Sequence, residues 1–342
     1  MPLDPSLRAQ LLSDAEATRR LSLAYVGVTA GLFAALRGSP APAAGLAVRA
    51  SADPATTLRW ADAAAAFGLL DRDGDRFALT DLGAAFLPDA PGTAMPFALG
   101  AVLTAHMADA ASAALQSGEI PGDRVLERVE TLGPWFGPLL EASFGPAFET
   151  HVLPGVPELT AAGAQGGLVV DLGCGNGWYL RRLLARFPAL RGHGLDPNPL
   201  AVSAARAAAA QAGLTARLTF AQGTFDDAAP LAPARLVVMN RALHHVWGAG
   251  PAAVARRLYQ RVAPGGAVLL WEPRWPDDPA TLGGHPRRRG MAFMGLVEHL
   301  QGNHLLRPAE VEAALEAAGF SATTHLLMDE TEMVVVGRRL AA

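Results

Sequence analysis

The stretch DLGCGNG, residues 171–177, follows the apolar run LVV (168–170) and precedes the helical pattern WYLRRLLAR. A short apolar run of this kind is typical of a buried strand, and glycines let the backbone turn sharply and approach a ligand closely. A strand, a glycine-rich turn and a helix in this order begin a doubly wound α/β sheet. Such sheets bind ligands at the carboxyl ends of their strands, so DLGCGNG also marks the expected binding edge.

Strand and helix patterns alternate from residue 166 onward. The strand candidates are LVVDLG (168–173), RGHGLD (191–196), RLTFAQG (217–223), RLVVMN (235–240), AVLLWEP (267–273), TTHLLMD (323–329) and EMVVVGRR (332–339). Helical patterns separate the first five, whereas the last two lie too close together for a crossover helix and must pair antiparallel. The sequence therefore predicts an α/β fold with a doubly wound, Rossmann-like sheet of seven strands and an antiparallel end.

Two acidic residues indicate which ligand the glycine loop accepts. Asp171 lies two residues before the first glycine of the loop, and Asp196 ends the next strand. The G-x-G-x-G spacing differs from the G-x-G-x-x-G of dinucleotide-binding loops. Asp171 would repel a pyrophosphate but suits an ammonium group, and Asp196 is placed to hydrogen-bond a ribose diol. The loop therefore favours a ribose-bearing ligand with an amine over a dinucleotide.

The first 95 residues combine helical patterns with a short hairpin. Apolar residues at helical spacing cover 21–36 and 56–70, and DRDGDRFALTDLG (71–83) carries a turn signal between β-prone pieces. This order predicts a winged-helix arrangement. Residues 1–90 hold eight Arg and ten acidic residues, so they lack the clustered positive charge that DNA binding needs. We therefore predict a dimerisation domain at 1–95, a helical connector roofing the pocket at 96–160 and a ligand-binding domain at 161–342.

The composition of the 342-residue chain excludes several classes of protein. All 28 basic residues are Arg, which rules out a lysine Schiff base and a Walker A phosphate loop. The net charge of −4 gives no reason to expect nucleic acid or a membrane as a partner. The single cysteine, Cys174, fits a reducing compartment, and we recognise neither a secretion signal nor an apolar run of about 20 residues. We therefore expect a cytoplasmic protein.

These motifs resemble those of the class I S-adenosylmethionine-dependent methyltransferases, and more closely the O-methyltransferase family with an N-terminal winged-helix dimerisation domain. The resemblance rests on GLFAAL, AFGLLDRDGDRFALTDLG, VVDLGCGNG, HGLDPNP, LHHVW and VAPGGAVLLWEP, in the family's order along nearly the whole chain. It implies a homodimer with S-adenosylmethionine as cofactor. The implied contacts are Asp171, Gly173, Gly175 and Gly177 at the methionine end, Asp196 and Pro197 at the ribose, Gly223, Thr224 and Phe225 at the adenine, and Asn240 near the sulfonium. The family's GDMF-like stretch reads GTF here, without the Asp.

The two histidines of LHHVW (243–247) are the candidate catalytic residues. The family normally reads LHDW here, and its His is the general base that deprotonates a phenolic hydroxyl. The resemblance thus makes His244 the base, but His245 replaces the carboxylate that would orient it, which an imidazole does poorly. A smaller branch of the same fold methylates the β carbon of 2-oxo acids and holds a metal with this loop and a downstream His. Resemblance to that branch implies Zn or Fe(II) on His244, His245 and His299, with His304 as the alternative third ligand.

Three functions stay open at this point. The favoured one is methylation of the β carbon of an apolar 2-oxo acid in natural-product biosynthesis, with His244 and His245 at the catalytic centre and the metal stabilising an enolate. The second is metal-free O-methylation of a small-molecule hydroxyl with His244 as base. The third is a winged-helix regulator that only senses the cofactor, and the acidic N-terminal domain argues against it.

Overall fold

The computed structural model describes residues 3–122, 124–127, 131–227 and 233–341. The strands are β1 (Ala41–Pro42), β2 (Leu70–Asp73), β3 (Arg76–Leu79), β4 (Gly167–Leu172), β5 (Leu190–Asp196), β6 (Leu218–Gln222), β7 (Ala234–Asn240), β8 (Val262–Pro273), β9 (Ser321–Leu327) and β10 (Glu332–Arg338). The helices are α1 (Pro5–Thr29), α2 (Leu32–Ala35), α3 (Ala43–Ala50), α4 (Pro54–Ala66), α5 (Asp81–Ala85), α6 (Met95–Ser117), α7 (Arg124–Glu127), α8 (Phe136–Ala147), α9 (Leu153–Gly155), α10 (Pro157–Gln165), α11 (Trp178–Arg186), α12 (Pro199–Gln211), α13 (Leu243–Trp247), α14 (Pro251–Arg261), α15 (Pro286–Leu300) and α16 (Pro308–Ala317). Shorter turns are 3₁₀-helical at Gly133–Trp135 and Pro279–Gly284 and π-helical at Phe148–Val152.

The large sheet contains seven strands in the order β6-β5-β4-β7-β8-β10-β9. The strands from β6 to β8 run parallel, whereas β10 is antiparallel to both β8 and β9. The chain order reverses between β4 and β7, and ligands of doubly wound sheets bind beside such a reversal. The predicted fold class and the antiparallel end are confirmed.

Most strands form within two residues of the predicted positions, because apolar side chains bury them on both faces. Val169, Val170 and Leu172 of β4 are each at most 1% exposed. The exception is β8, which begins at Val262 rather than near residue 267. β8 begins earlier because Val262 pairs with Ala234, across an irregularity in the β7–β8 ladder. The sequence VAPGG (262–266) does not predict this pairing.

Two buried clusters cover the two faces of this sheet. One joins sheet residues to α11 and α12 and contains Phe148, Trp178 and Trp271. The other joins the sheet to α13, α14 and α16 and contains Trp247 and Leu270. Helices therefore pack on both faces, and only the strand ends of the sheet are available to hold a ligand.

The chain divides into two compact units, Met1–Asp109 with Leu126–Ser143, and Ala110–Val125 with Phe144–Ala342. In the first unit, α3 and α4 precede a β2–β3 hairpin that turns at Gly74 (φ +60°), and β3 also pairs with β1. The helical pattern at 21–36 is two helices rather than one, because the chain turns at Gly31 (φ +68°) between α1 and α2. The division at residues 95 and 160 stays a prediction.

The helix α6 corrects one expectation from the sequence. Its 23 residues are long and apolar enough to cross a membrane by length and composition, whereas we expected no such segment. The expectation was wrong because it looked for an uninterrupted apolar run. His106 and Asp109 interrupt the run, but the mean hydropathy of the helix is still high enough to meet the criterion. Length and composition alone are a weak indication, since a helix of a protein core meets the same criteria.

Candidate active site

The glycine loop between β4 and α11 has three residues with left-handed backbone. Gly173, Gly175 and Gly177 have φ of +80°, +52° and +71°, values that residues other than glycine rarely adopt. A Cβ on Gly173 would lie 2.6 Å from the Cβ of Ala242, and one on Gly177 would lie 2.4 Å from the ring of Phe220. A Cβ on Gly175 would meet nothing within 4 Å. The loop is therefore packed at both ends and open in the middle.

Asp196 connects this loop to the end of β5 by a hydrogen bond. Its Oδ2 accepts a hydrogen bond from the backbone N–H of Gly175 at 2.8 Å, and its Oδ1 accepts one from Asn198 at 2.9 Å. The next residue, Pro197, accepts a hydrogen bond from Gln222 through its carbonyl oxygen. Each carboxylate oxygen can accept a further hydrogen bond, so Asp196 can hold the loop and still bind a diol.

Asp171 is buried with an unpaired acceptor atom. Its Oδ1 has no hydrogen-bond partner among the described residues, and the same is true of Oδ1 of Asn240 at the end of the adjacent strand β7. Burial, and then the charge of Asp196, raise the pKa of Asp171 to about 8. Two unpaired acceptors on neighbouring strands suit a ligand that brings N–H donors and positive charge. The residues present therefore fit the ammonium end of S-adenosylmethionine.

Cys174 is a buried residue of the same loop. Burial, followed by the charges of Asp171 and Asp196, raises the pKa of its thiol far above the ordinary value. A thiol in this state is a poor nucleophile. Cys174 therefore fills space in the loop.

The segment predicted for the adenine follows β6. The backbone N–H and hydroxyl of Thr224 both donate to Oδ2 of Asp227, at 2.7 and 2.9 Å. The ring of Phe225 lies 4.9 Å below the guanidinium of Arg261, and Gly223 precedes both residues. A carboxylate therefore stands beside Thr224 although the GTF motif lacks one, and sequence reasoning missed it because it comes three residues later.

His244 at the start of α13 forms a buried pair with a carboxylate from β8. Its Nδ1 lies 2.5 Å from Oε2 of Glu272, and the other oxygen of Glu272 accepts the backbone N–H of Leu243 at 2.7 Å. His244 is 5% exposed and Glu272 is 1% exposed. The sequence suggested that His244 lacks a carboxylate partner, and this is wrong. The partner comes from the next strand of the sheet instead of the next residue.

Each member of this pair shifts the pKa of the other. Burial alone would lower the pKa of His244, but the charge and hydrogen bond of Glu272, with the charge of Glu298, outweigh it and raise that pKa. Burial would raise the pKa of Glu272, but the charge and hydrogen bond of His244 lower it overall. Each partner therefore stabilises the charged form of the other.

Glu298 of α15 faces the other side of the His244 ring. Its Oε2 lies 3.5 Å from Nε2 of His244, and it also accepts a hydrogen bond from the side-chain amide of Asn303 at 3.3 Å. The same amide nitrogen lies 3.0 Å from Nδ1 of His245, whose ring is 4.2 Å from that of His244. Both histidines, Glu298 and Asn303 thus form one connected group.

His299 does not belong to this group. It is exposed on α15, whereas the preceding residue, Glu298, is turned toward His244. The alternative ligand His304 is also on the surface, where it faces Glu310 at 3.5 Å. The predicted three-histidine metal site is therefore corrected, and a carboxylate takes the place of the third imidazole.

Donor atoms of His244, His245 and Glu298 lie within 4.8 Å of one another, in the single such group among the described ranges. Two imidazoles and a carboxylate are a ligand set that Fe(II) or Zn can use. However, Nδ1 of His245 already contacts the amide of Asn303. The spacing suits a divalent ion, but the hydrogen bonding of His245 does not fit it as the site stands.

A cation and aromatic rings lie together at the exit of β7. Arg241, at the exit of β7, donates to Oε2 of Glu332 at 2.7 Å, and the same oxygen accepts Nε1 of Trp271 at 2.9 Å. The guanidinium of Arg241 also lies 4.0 Å from the ring centre of Phe144 and 3.4 Å from the sulfur of Met294. The ion pair with Glu332 compensates the charge of Arg241, whose other contacts are with an aromatic ring and a thioether.

Comparison with known proteins agrees with this geometry. The family model for a methyltransferase domain matches residues 169–266, which include the glycine loop, the β5 acid and both histidines. The trans-aconitate 2-methyltransferase of Acidovorax sp. (strain JS42) is 38% identical over 112 residues. That match covers 33% of this chain and 40% of the relative, so the chain matches less than half of the relative's length.

Solved structures match over the whole chain at lower identity. An O-methyltransferase family protein from Burkholderia thailandensis is 22% identical and covers all of both chains, with a TM-score of 0.65. Human N-acetylserotonin methyltransferase, solved in complex with S-adenosylmethionine, is 20% identical over 99% of each chain, also with a TM-score of 0.65. At these identities the likeness establishes the fold.

Proposed function

The chain carries an S-adenosylmethionine-dependent methyltransferase domain of the class I fold, and on that premise we propose that it methylates a hydroxyl group of a small molecule with His244 as general base. The observation that carries this proposal is the buried hydrogen bond between Nδ1 of His244 and Glu272. A carboxylate at Nδ1 keeps the proton there, and the lone pair at Nε2, which faces Glu298 at 3.5 Å, takes up the proton of the substrate. The O-methyltransferase alternative thus gains the partner that its sequence lacked.

In the proposed mechanism, His244 and Glu272 move one proton while the cofactor supplies a methyl group bound to a positively charged sulfur. Nε2 of His244 takes the proton of the acceptor hydroxyl, and Glu272 stabilises the imidazolium that results. Held by the glycine loop, Asp171 and Asp196, the cofactor would supply the methyl group, which would pass to the oxygen as its bond to sulfur breaks. The products would be a methyl ether and the uncharged thioether.

Methyl transfer to a panel of acceptors tests this proposal. His244→Ala should lower transfer to a phenolic acceptor by about 10²–10⁴-fold, the usual contribution of a general base. His299→Ala is the matched control, because His299 is exposed and outside the group, and it should behave normally. The panel should include trans-aconitate and 2-oxo acids, and transfer to a carboxylate or carbon but to no hydroxyl would contradict the proposal.

A second candidate is methylation of the β carbon of a 2-oxo acid with the aid of a divalent ion. It is supported by the approach of His244, His245 and Glu298 to within 4.8 Å. This candidate requires that the contact between Asn303 and Nδ1 of His245 be broken, and an ion then held there would stabilise the negative charge of an enolised 2-oxo acid. Metal analysis of untagged protein, and β-proton exchange of a 2-oxo acid in heavy water, distinguish the two candidates. A chelator should inactivate the enzyme in the second case alone.

We also propose that two copies of this chain associate through the first unit. The helix α1 exposes Leu7, Leu11 and Leu12 on its surface, and Leu3 just before it is exposed as well. Exposed leucines at successive turns of one helix favour burial against another protein surface. Light scattering on the full chain should give the mass of a dimer, and Leu7→Glu with Leu11→Glu should shift it to the monomer.

A further inference from the structure

The side-chain amide of Asn303 faces two hydrogen-bond acceptors. Its nitrogen lies 3.3 Å from Oε2 of Glu298 and 3.0 Å from Nδ1 of His245. A carboxylate oxygen accepts and does not donate, so the NH₂ end of the amide, rather than its oxygen, faces Glu298. The backbone N–H of Asn303 donates to the carbonyl of Glu298 at 2.8 Å, which holds the residue in place.

The orientation of this amide determines where His245 carries its proton. The NH₂ group has two hydrogens, so one points to Glu298 and the other to Nδ1 of His245. Nδ1 must then be the acceptor, and the ring proton lies on Nε2. His244 is the opposite case, because the carboxylate of Glu272 requires a proton on its Nδ1. The adjacent histidines are therefore opposite tautomers.

We propose that Asn303 is a positioning residue that holds His245 as a hydrogen-bond donor at Nε2 and thereby prevents His244, His245 and Glu298 from binding a divalent ion. A metal ligand needs a free lone pair on the coordinating nitrogen. In His245 one nitrogen carries the proton and the lone pair of the other is engaged by Asn303. His244 then acts as the base. The assignment of His244 rests on the proposed function, but the tautomer of His245 does not.

The variant Asn303→Asp tests this inference, because a carboxylate at this position would accept from Nδ1 of His245 and move the ring proton there. Two-bond ¹H–¹⁵N correlation spectra of the full chain identify each histidine tautomer directly. We expect His245 to carry its proton on Nε2 in the unchanged protein and on Nδ1 in Asn303→Asp. Titration with Zn²⁺ alone should show binding at least about tenfold tighter in the variant, which corresponds to about 1.4 kcal/mol.

Two further variants control for the added carboxylate. Asn303→Ala removes the donor without adding charge, and it should release His245 into a mixture of tautomers. Asn303→Asp combined with His245→Ala should lose the gain in Zn²⁺ affinity, because His245 supplies the new ligand. A proton on Nδ1 of His245 in the unchanged protein, or equal Zn²⁺ affinity of the single and double variants, would overturn the proposal. These results do not depend on activity, so failure of the O-methylation proposal would show separately, in the acceptor panel.

Discussion

Replacing Glu272 by Gln removes one buried charge and changes the side-chain volume little. The carboxylate accepts two hydrogen bonds, from Leu243 N at 2.7 Å and from Nδ1 of His244 at 2.5 Å. Glutamine has one acceptor oxygen for these two donors. If the oxygen keeps Leu243, the amide NH₂ faces His244 and drives its proton to Nε2, the atom that should take up the proton of the substrate. The base is then blocked.

We expect the turnover number of Glu272→Gln to fall by about 10²–10⁴-fold, the range that a general base contributes. The free energy of unfolding should fall by about 1–2 kcal/mol, because a neutral hydrogen bond replaces a charge-assisted one between His244 and residue 272. The pH dependence should change as well. The base works when neutral, and its pKa is raised above 6.5, so activity of the unchanged enzyme should fall as the pH drops through that raised value. Removing the charge of Glu272 lowers the pKa of His244, so the residual activity should persist to lower pH.

Transfer of a radiolabelled methyl group measured against pH gives the rate and the profile, and thermal unfolding gives the stability. Glu330→Gln is the matched control, because Glu330 is exposed and contacts Arg274 and Arg288 rather than a histidine. The control should match the unchanged chain in rate and profile. The role of Glu272 would be refuted if Glu272→Gln turned over as fast as the control and its activity fell at the same acidic pH.

Three further predictions concern the cofactor loop. Asp196→Ala should weaken cofactor binding by about 1.5–3 kcal/mol in calorimetry, and an unchanged affinity would contradict the ribose assignment. The pKa of Asp171 rises from 3.8 to about 8 on folding, so the cofactor-free protein should lose stability as the pH rises between these values. Asp171→Asn should abolish this loss in melting curves, and a melting temperature with the same pH dependence as before would count against it. Gly173→Ala should destabilise the fold more than Gly175→Ala, because its Cβ would lie 2.6 Å from Ala242 while the other meets open space, and equal melting temperatures would contradict the packing argument.

The sheet and the cofactor loop could be predicted because their signals are local. Most strands contain a short apolar run, and three glycines within five residues mark the turn. Glu272 carries no such signal. It lies 28 residues after His244, at the end of an apolar strand. Only the pairing of β7 with β8, which sets Asn240 beside Trp271, brings the two side chains together.

The choice between Glu298 and His299 shows a second limit of the sequence. Consecutive residues of a helix point about 100° apart, so a shift of one residue exchanges the buried face for the surface. Residue type favoured His299 as a ligand, but the packing of α15 buries Leu300 and Met291 together with Glu298. Neither apolar neighbour fixes the rotation of the helix without the rest of the fold. The same holds for Asn303, whose contact with His245 crosses 58 residues.

Cys174 allows the opening of the cofactor loop to be measured by thiol labelling. It is the only cysteine in the chain, it is 5% exposed, and its raised pKa makes the folded thiol unreactive. A thiol reagent can therefore label the protein only when the loop opens, and the labelling rate measures the free energy of that local opening. A ligand that binds the closed loop should slow labelling in proportion to its saturation. Unmodified protein can thus be screened for cofactor analogues by labelling kinetics, before any methyl acceptor is known.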